Sequence, residues 1–437
     1  MYVSRVRIDG VLGFHGDRAV DLTLTRPDGS HAGWTVIAGR NGSGKTTLLR
    51  AVAIALCTPA QAYPLAPDLQ SWRSAEPGRI ELTVGLDDED DRLLGYLDPD
   101  GRVDAVETVC TWSAPDGRPR SRSQVVWSRR TVGSLKPVPD GDWEVFSEDQ
   151  FAGYGPFRRL AREAPAETSD LATLFDDEAP LSEGIAWLVA EHHRSLEGRD
   201  GASAAVSDVL AFLGDGLLPD GFRVSRVDSD GLWVEQGGQE FPLRELSGGH
   251  RTAVALVLNL LWALAVPFAN ADLPLLGASG TVMPYPAVVL IDEIDAHLHV
   301  TWQQRIGGWL KTHFPAVQFV VTTHSPYICQ SADPGGLIRL GSAGDRTAPE
   351  VVSVDLYQRV VYGTGDDAIM SELFGLDTPF SPEAERLRLR AGDLEGAMMD
   401  GVATDAERAE YEELSAKLTS SLSTRAAEVA ALLGRRE

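Results

Sequence analysis

Residues Gly39-Arg40-Asn41-Gly42-Ser43-Gly44-Lys45-Thr46 fit the pattern G-x-x-x-x-G-K-[ST] at every fixed position. A run of this kind binds phosphate. Its glycines let backbone N–H groups curl around an anion, and a helix starting inside the run adds the positive end of its dipole. Lys45 is placed to bring charge to the β- and γ-phosphates and Thr46 to give its hydroxyl to Mg²⁺, and Gly39–Thr46 with Thr47 are the nucleotide-binding candidates. Two acids stand at the end of an apolar run, Val288-Val289-Leu290-Ile291-Asp292-Glu293. With Thr46, Asp292 is the candidate holder of Mg²⁺, directly or through water. Glu293 is placed to orient or deprotonate an attacking water. The competing reading of the pair is a solvated strand end. A third element, Thr322-Thr323-His324-Ser325-Pro326, follows the next apolar run, and we assign His324 to the γ-phosphate. Lys45, Glu293 and His324 are thus the candidate catalytic residues. A second anion nest, Leu246-Ser247-Gly248-Gly249-His250-Arg251, opens a long apolar stretch and adds Ser247, Gly248 and Gly249 to the nucleotide-binding candidates.

These residues need strands and helices of a definite kind behind them. Thr35–Ala38 reads as a strand before the phosphate loop, and Thr47–Val52 opens a helix after it. Val288–Ile291 and Val317–Val321 are continuous apolar runs, the mark of parallel strands covered on both faces. In open sheets of that type ligands bind at the carboxyl ends of the strands, where Asp292 and His324 fall. From Arg79 to about residue 147 apolar and polar residues alternate, with turn signals at 98–101, 116–117 and 140–141, which predicts antiparallel strands. Leu171–Phe212 reads as helices, with Ile185–Ala190 and Val206, Leu210 and Leu213 at helical spacing, and Phe222–Leu243 as short strands. From Pro382 the chain reads as helical again. Thr404-Asp405-Ala406-Glu407 is a capping box, and Leu414, Leu418 and Leu422 form one apolar stripe, for packing on the protein itself or for a partner. We divide the chain into residues 1–160, 161–245, 246–345 and 346–437.

Composition removes several classes. The formal charge of −25 argues against a protein coated with nucleic acid, which needs clustered Lys and Arg. Cys57, Cys110 and Cys329 are far apart and match no metal spacing, so a reduced, cytoplasmic protein is expected. No signal peptide is expected at Met1–Arg7. The longest apolar stretch, Ala253–Phe268, contains Asn259 and Pro267 and is shorter than the ~20 residues of a spanning helix. No membrane domain is expected.

With L-S-G-G standing beside a phosphate loop, the sequence resembles the ABC ATPase superfamily. The resemblance implies ATP and Mg²⁺ as ligands, ATP hydrolysis as the activity, and a homodimer or higher even oligomer in which the Ser247 nest meets the γ-phosphate held by the other subunit. His250 departs from the pattern, because transporters usually carry Gln there. Val6–Phe14 is similar to the first strand pair of RecF-like and SMC-like ATPases. Ile291–His299 and Phe314–Pro326 resemble the overcoming-lysogenization-defect (OLD) type. His297 and His299, tempting as metal ligands, lie in that family on the way to the dimer interface. Gly153–Arg159, Tyr362-Gly363 and Ile369–Gly375 look like the ATPase subunits of Septu-type and retron-associated anti-phage systems. The resemblance covers the ATPase core almost completely and residues 79–147 loosely. Gln150 is the candidate for the family's Q-loop role. The expected fold is α/β: an ABC-type head with a parallel-sheet core, an antiparallel strand-rich insert, a helical lobe and a helical C-terminal extension.

Two functions compete. One is an ATPase whose nucleotide state controls a separate nuclease effector in anti-phage defence, since no nuclease motif is found in this sequence. The alternative is a RecF-like DNA repair or recombination ATPase that binds DNA directly. Arg118, Arg120, Arg122, Arg129 and Arg130, beside Trp112 and Trp127, are its candidate contacts. The competing reading of that cluster is a strand edge that uses charge against aggregation. A transporter ATPase is disfavoured by His250 and by the RecF-like start.

Overall fold

The computed structural model describes residues 1–31, 33–86, 105–113, 124–132, 150–158, 169–181, 183–269, 274–277, 280–342 and 344–418. They fall into two compact units, Met1–Ala368 and Ile369–Glu437.

Among the described residues the first unit holds three sheets. An antiparallel sheet is built from β1 (Tyr2–Asp9), β2 (Val20–Thr23), β4 (Gly78–Gly85), β5 (Ala105–Ser113) and β6 (Gln124–Val132), in the order β2-β1-β4-β5-β6. The strands expected as an insert therefore continue the sheet begun by the N-terminal pair. The expected turns at 98–101, 116–117 and 140–141 lie outside the described residues. Burial alternates along β4 and β5, as it must when one face is covered and the other wet. The covered face carries Ile80, Leu82, Val106, Cys110 and Trp112 and shares one core with Leu48, Leu49 and Val52 of the Lys45–Leu56 helix.

The second sheet contains β3 (Trp34–Gly39), β7 (Phe151–Tyr154), β11 (Ala287–Ile291), β12 (Val317–Thr323), β13 (Leu337–Leu340) and β14 (Glu350–Val351), in the order β14-β13-β3-β12-β11-β7. Pairing is parallel except between β13 and β14. Every residue of β3, β11 and β12 is buried, as the unbroken apolar runs predict. The Lys45–Leu56 helix lies between this sheet and the antiparallel one, touching β3, β4, β5, β11 and β12.

A helical lobe follows, with helices Glu183–Leu196 and Ala202–Gly214 against the long Gly248–Ala269 helix. A three-stranded antiparallel sheet of β8 (Arg223–Asp228), β9 (Gly231–Gln236) and β10 (Gln239–Pro242) belongs to the same lobe. Asn259, the polar residue inside the apolar run, accounts for its own burial. Its Oδ1 accepts from the Tyr154 hydroxyl at 3.0 Å and its Nδ2 donates to Glu183 Oε2 at 3.2 Å. One amide thereby ties the edge strand β7 to two helices of the lobe. Gly184 lets those helices cross closely, because a Cβ there would stand 2.6 Å from Asn259 N.

In the second unit, helices Pro382–Met399 and Asp405–Lys417 pair, joined by Arg390 and Glu410 at 2.7 and 2.9 Å. Thr404 and Glu407 form both halves of the expected capping box. The expected leucine stripe is not carried by one helix. Leu414 is buried, Leu418 stands past the helix end at Lys417, and Leu422 lies outside the described residues. Among the described residues no helix is long and apolar enough to cross a membrane.

Candidate functional site

The phosphate loop leaves the buried strand β3 and turns into a helix that starts at Lys45. Its glycines have separate reasons. A Cβ on Gly39 would stand 2.6 Å from Leu340 O and 2.8 Å from Ser43 Oγ, so only glycine lets β13 approach. Gly42 and Gly44 take φ of 74° and 102°, which L side chains resist. Arg40, Asn41 and Gly42 form the exposed lip. Ser43 lies beneath it with its Oγ buried and without a hydrogen-bond partner, a polar atom left over for a ligand. Arg18 braces the loop from outside, donating to Ser43 O at 2.8 Å and also reaching Ser342 O.

Lys45 is 6 % exposed, and its ammonium donates to Gly39 O at 2.9 Å and Arg40 O at 3.3 Å. His324 Nε2 stands 2.7 Å from the same ammonium. Burial, followed by the Lys45 charge, holds His324 below the ordinary imidazole value. A neutral ring with a bare Nε2 can accept from Lys45, so the two side chains share one proton donor. Burial lowers Lys45 as well, against the pull of Asp292, Glu293 and Asp295.

Thr46 Oγ1 donates to Asp292 Oδ2 at 2.6 Å, and Thr322 Oγ1 donates to Asp292 Oδ1 at 2.5 Å. The phosphate loop thus faces the carboxyl end of β11, and Asp292, 1 % exposed, is gripped from the first turn of the Lys45–Leu56 helix and from β12. Glu293 is half-buried at φ 45°, with its N–H donating to Thr322 Oγ1 at 2.8 Å. A non-glycine residue held at positive φ needs over-determining surroundings, and Arg158 supplies them. Its buried guanidinium donates to Asp292 O at 2.7 Å, Glu293 O at 2.9 Å, Ile294 O at 3.4 Å and Gly155 O at 3.0 Å. Burial lowers its pKa to about 10, and the acids 292, 295 and 293 pull it back up. Asp295 is a second residue missed from sequence, accepting from Thr323 Oγ1 and from His324 N at 3.4 Å. Arg158 was visible only inside a family motif, and nothing in spacing linked it to residues 134 positions away. Gln150 is buried just before β7. Thr47 lines a cavity of about 660 Å³ beside the loop together with Phe14, His15, Arg18 and Arg346.

The second nest lies elsewhere. Ser247 and Gly248 are exposed at the start of the Gly248–Ala269 helix, and Ser247 Oγ meets His250 Nδ1 at 2.6 Å. Gly249 has no room for a side chain, since a Cβ would meet His297 O at 2.4 Å. No hydrogen bond among the described residues joins Ser247, Gly248 or Gly249 to Lys45, Thr46, Asp292, Glu293 or His324. His299 caps the short helix after it, accepting from Thr301 N at 3.4 Å, and no group of metal-ligating side chains assembles among the described residues.

Of the basic aromatic cluster, Trp112, Trp127 and Arg129 are not at the surface. Side chains alternate along β6, so Val125, Trp127 and Arg129 point inward. Arg129, 9 % exposed, donates to Leu56 O at 2.6 Å and Cys57 O at 3.2 Å, the last carbonyls of the phosphate-loop helix. It completes a helix end, where a cation is favoured. Trp112 and Trp127 belong to the core, and Trp112 Nε1 donates to Leu69 O at 2.7 Å. Arg130 is outward and paired with Glu107. Arg118, Arg120 and Arg122 lie outside the described residues.

Parts of the chain match known families and proteins. A family model described as "AAA domain, putative AbiEii toxin, Type IV TA system" matches residues 188–330, and one described as "AAA domain" matches residues 5–80. The chain is 24% identical over 330 residues to "Septu protein PtuA" of Bacillus mycoides (strain KBAB4), covering 72% of this chain and 37% of that protein. It is 36% identical over 130 residues to "Retron Ec83 probable ATPase" of Escherichia coli, covering 30% of this chain and 22% of that protein. The chain therefore spans well under half the length of these relatives. A solved SMC head bound to the C-winged helix domain of ScpA is 17% identical at a TM-score of 0.48, over 81% of this chain and 98% of that one.

Proposed function

Because the chain carries an ABC-type ATPase head of the RecF/SMC/OLD-like branch and is related to the Septu and retron ATPases, we propose that it binds ATP at Gly39–Thr46 and hydrolyses it as a homodimer. The observation that carries this reading is the convergence of Lys45, Thr46, Asp292 and His324, through contacts of 2.6–2.7 Å, from segments that follow the carboxyl ends of three strands. The residues fit the ligands. The orphaned Ser43 Oγ and the open positive-φ turn at Gly42 suit a phosphate chain. Thr46 and Asp292 offer a hydroxyl and a carboxylate oxygen side by side, a donor set suited to Mg²⁺. When bound, Mg²⁺ neutralises charge on the β- and γ-phosphate oxygens.

In this reading Lys45 turns its ammonium from Gly39 O and His324 toward the phosphates. His324, released, offers its ring to the γ-phosphate. Glu293 is held by Arg158 in the one conformation that presents its carboxylate to water. The cavity beside Thr47 takes the nucleoside. Ser247, Gly248 and Gly249 serve the γ-phosphate of the opposite subunit, which requires two chains related by a two-fold axis.

ATP closure fixes the two heads relative to each other, and we take this as the signal passed to a separate nuclease effector in anti-phage defence. Two features support this part: relatedness to proteins named Septu PtuA, and a paired-helix unit beyond Ala368 available for docking. Light scattering of Glu293→Gln with ATP tests the first step, with a dimer expected and a monomer at every concentration against it. Co-expression with the adjacent gene tests the second. A co-purifying nuclease and phage protection are expected, and tight ATP-dependent binding of duplex DNA by the isolated ATPase would favour the direct DNA reading instead.

A further inference from the structure

The His250 imidazole stands where the resemblance leads one to expect glutamine, and its surroundings fix which nitrogen carries its proton. Nδ1 lies 2.6 Å from Ser247 Oγ, whereas Nε2 is buried without a hydrogen-bond partner. Phe222 packs on the ring, with centroids 5.1 Å apart and planes at 62°. A proton on Nε2 would leave a buried N–H donor unmade and would turn the Ser247 hydroxyl back onto Nδ1. A proton on Nδ1 leaves only a buried lone pair, the lesser loss, and donates to Ser247 Oγ. Ser247 is exposed, so its own hydrogen then points outward at no cost.

We infer that His250 is a positioning residue: its Nδ1–H donates to Ser247 Oγ and so presents the Ser247 hydroxyl as a donor to an incoming γ-phosphate. This rests on the reading of Ser247 as the partner-facing nest. A glutamine at 250 could serve an oxygen or an amide to serine with equal ease; the imidazole with a closed Nε2 side has one outcome. The direction matters, since a phosphate oxygen is acceptor-only and a serine whose hydrogen is already spent would face it lone pair to lone pair. Burial also lowers the His250 pKa, with Asp220 opposing, which favours the neutral ring needed for a single N–H.

Asn and Leu are near-isosteric tests, because the Asn amide nitrogen occupies the place of Nδ1 and Leu offers no donor. The saturating rate of ATP hydrolysis is measured for His250→Asn, His250→Leu, Ser247→Ala and the His250→Leu/Ser247→Ala double variant. Without the orienting Nδ1–H the Ser247 hydroxyl is free to turn away from the phosphate, which predicts a fall of about tenfold for His250→Leu. His250→Asn should restore most of the rate, and His250→Leu should cost nothing further once Ser247 is Ala. A full rate in His250→Leu with a reduced rate in Ser247→Ala overturns the inference and leaves the nest reading standing. So does an equal loss in Asn and Leu, or an added loss on the Ser247→Ala background. A full rate in Ser247→Ala sinks the nest reading and the inference with it. Nitrogen NMR of the histidine-labelled wild-type protein needs no variant. The proton is expected on Nδ1 of His250, and its presence on Nε2 overturns the inference.

Discussion

The two anion nests of this chain differ in how finished they are. At Gly39–Thr46 the loop is packed from beneath and at its flank, and only the Arg40–Gly42 lip is exposed. Leu340 presses on Gly39, Arg18 holds Ser43 O, His324 meets Lys45, and Asp292 meets Thr46. At Ser247–Gly249 the residues are exposed or half-buried, and apart from His250 and the His297 carbonyl the nest faces outward. A nest completed inside the chain can bind a phosphate unaided. An exposed one bonds its ligand fully only when something closes over it, because hydrogen bonds gain strength as water is excluded. The contrast is what a shared, two-chain site demands.

The largest effect should come from the finished nest. Lys45→Ala removes the charge that two carbonyls and His324 hold in place, and is expected to weaken ATP binding at least about 100-fold by equilibrium titration. Glu293→Gln separates binding from chemistry: affinity should stay near wild type, while phosphate release falls by about 10²–10⁴-fold. A wild-type rate would remove Glu293 from its role as base. Arg158→Met keeps much of the volume and discards the donors to Asp292 O, Glu293 O and Ile294 O. It should lower kcat by about tenfold or more with a smaller change in ATP affinity, since the held turn presents Glu293.

Smaller effects test the antiparallel sheet and the His324 contact. Arg129→Leu should cost about 1–2 kcal/mol of stability by chemical denaturation, the worth of a buried cation on helix-end carbonyls, and leave ATP affinity unchanged. Loss of DNA binding with no loss of stability would instead favour a direct DNA contact at Arg129. For His324 the sign follows from its lowered pKa. The unfolded ring takes a proton near pH 6.5 and the folded ring only below that. The stabilising share is therefore present above about 6.5 and lost as pH falls below it. His324→Gln should flatten the fall in melting temperature between pH 7 and 5 relative to wild type.

The parallel sheet was legible because its signals are local. The fixed spacing of Gly39–Thr46, the acid pair after Val288–Ile291 and the unbroken apolar strands each sit in one short window. Arg158, Asp295 and Arg129 were not legible because their roles come from tertiary register. Arg158 reaches a turn that β7 brings beside it, and β7 itself has only four residues, too few for a pattern to show. Arg129 and Arg130 differ only in which face of β6 they take, and a one-residue change of register exchanges core for solvent. Arg129 and Arg130, adjacent in sequence, part to opposite faces once the strand is pleated. His250 was read as a departure from a motif, and only its neighbours Ser247 and Phe222 give it a use.

Mixing two dead chains tests the shared site most directly. Lys45→Ala disables one nest and Ser247→Arg the other, so each alone leaves no intact site in its homodimer. A heterodimer of the two restores one complete site from the undamaged halves. Hydrolysis should reappear on mixing, rise as the square of total protein at low concentration, and approach half the wild-type rate per dimer when heterodimers dominate. No recovery in mixtures that demonstrably form heterodimers, or a wild-type rate per chain that stays constant on dilution to a strict monomer, would contradict the account.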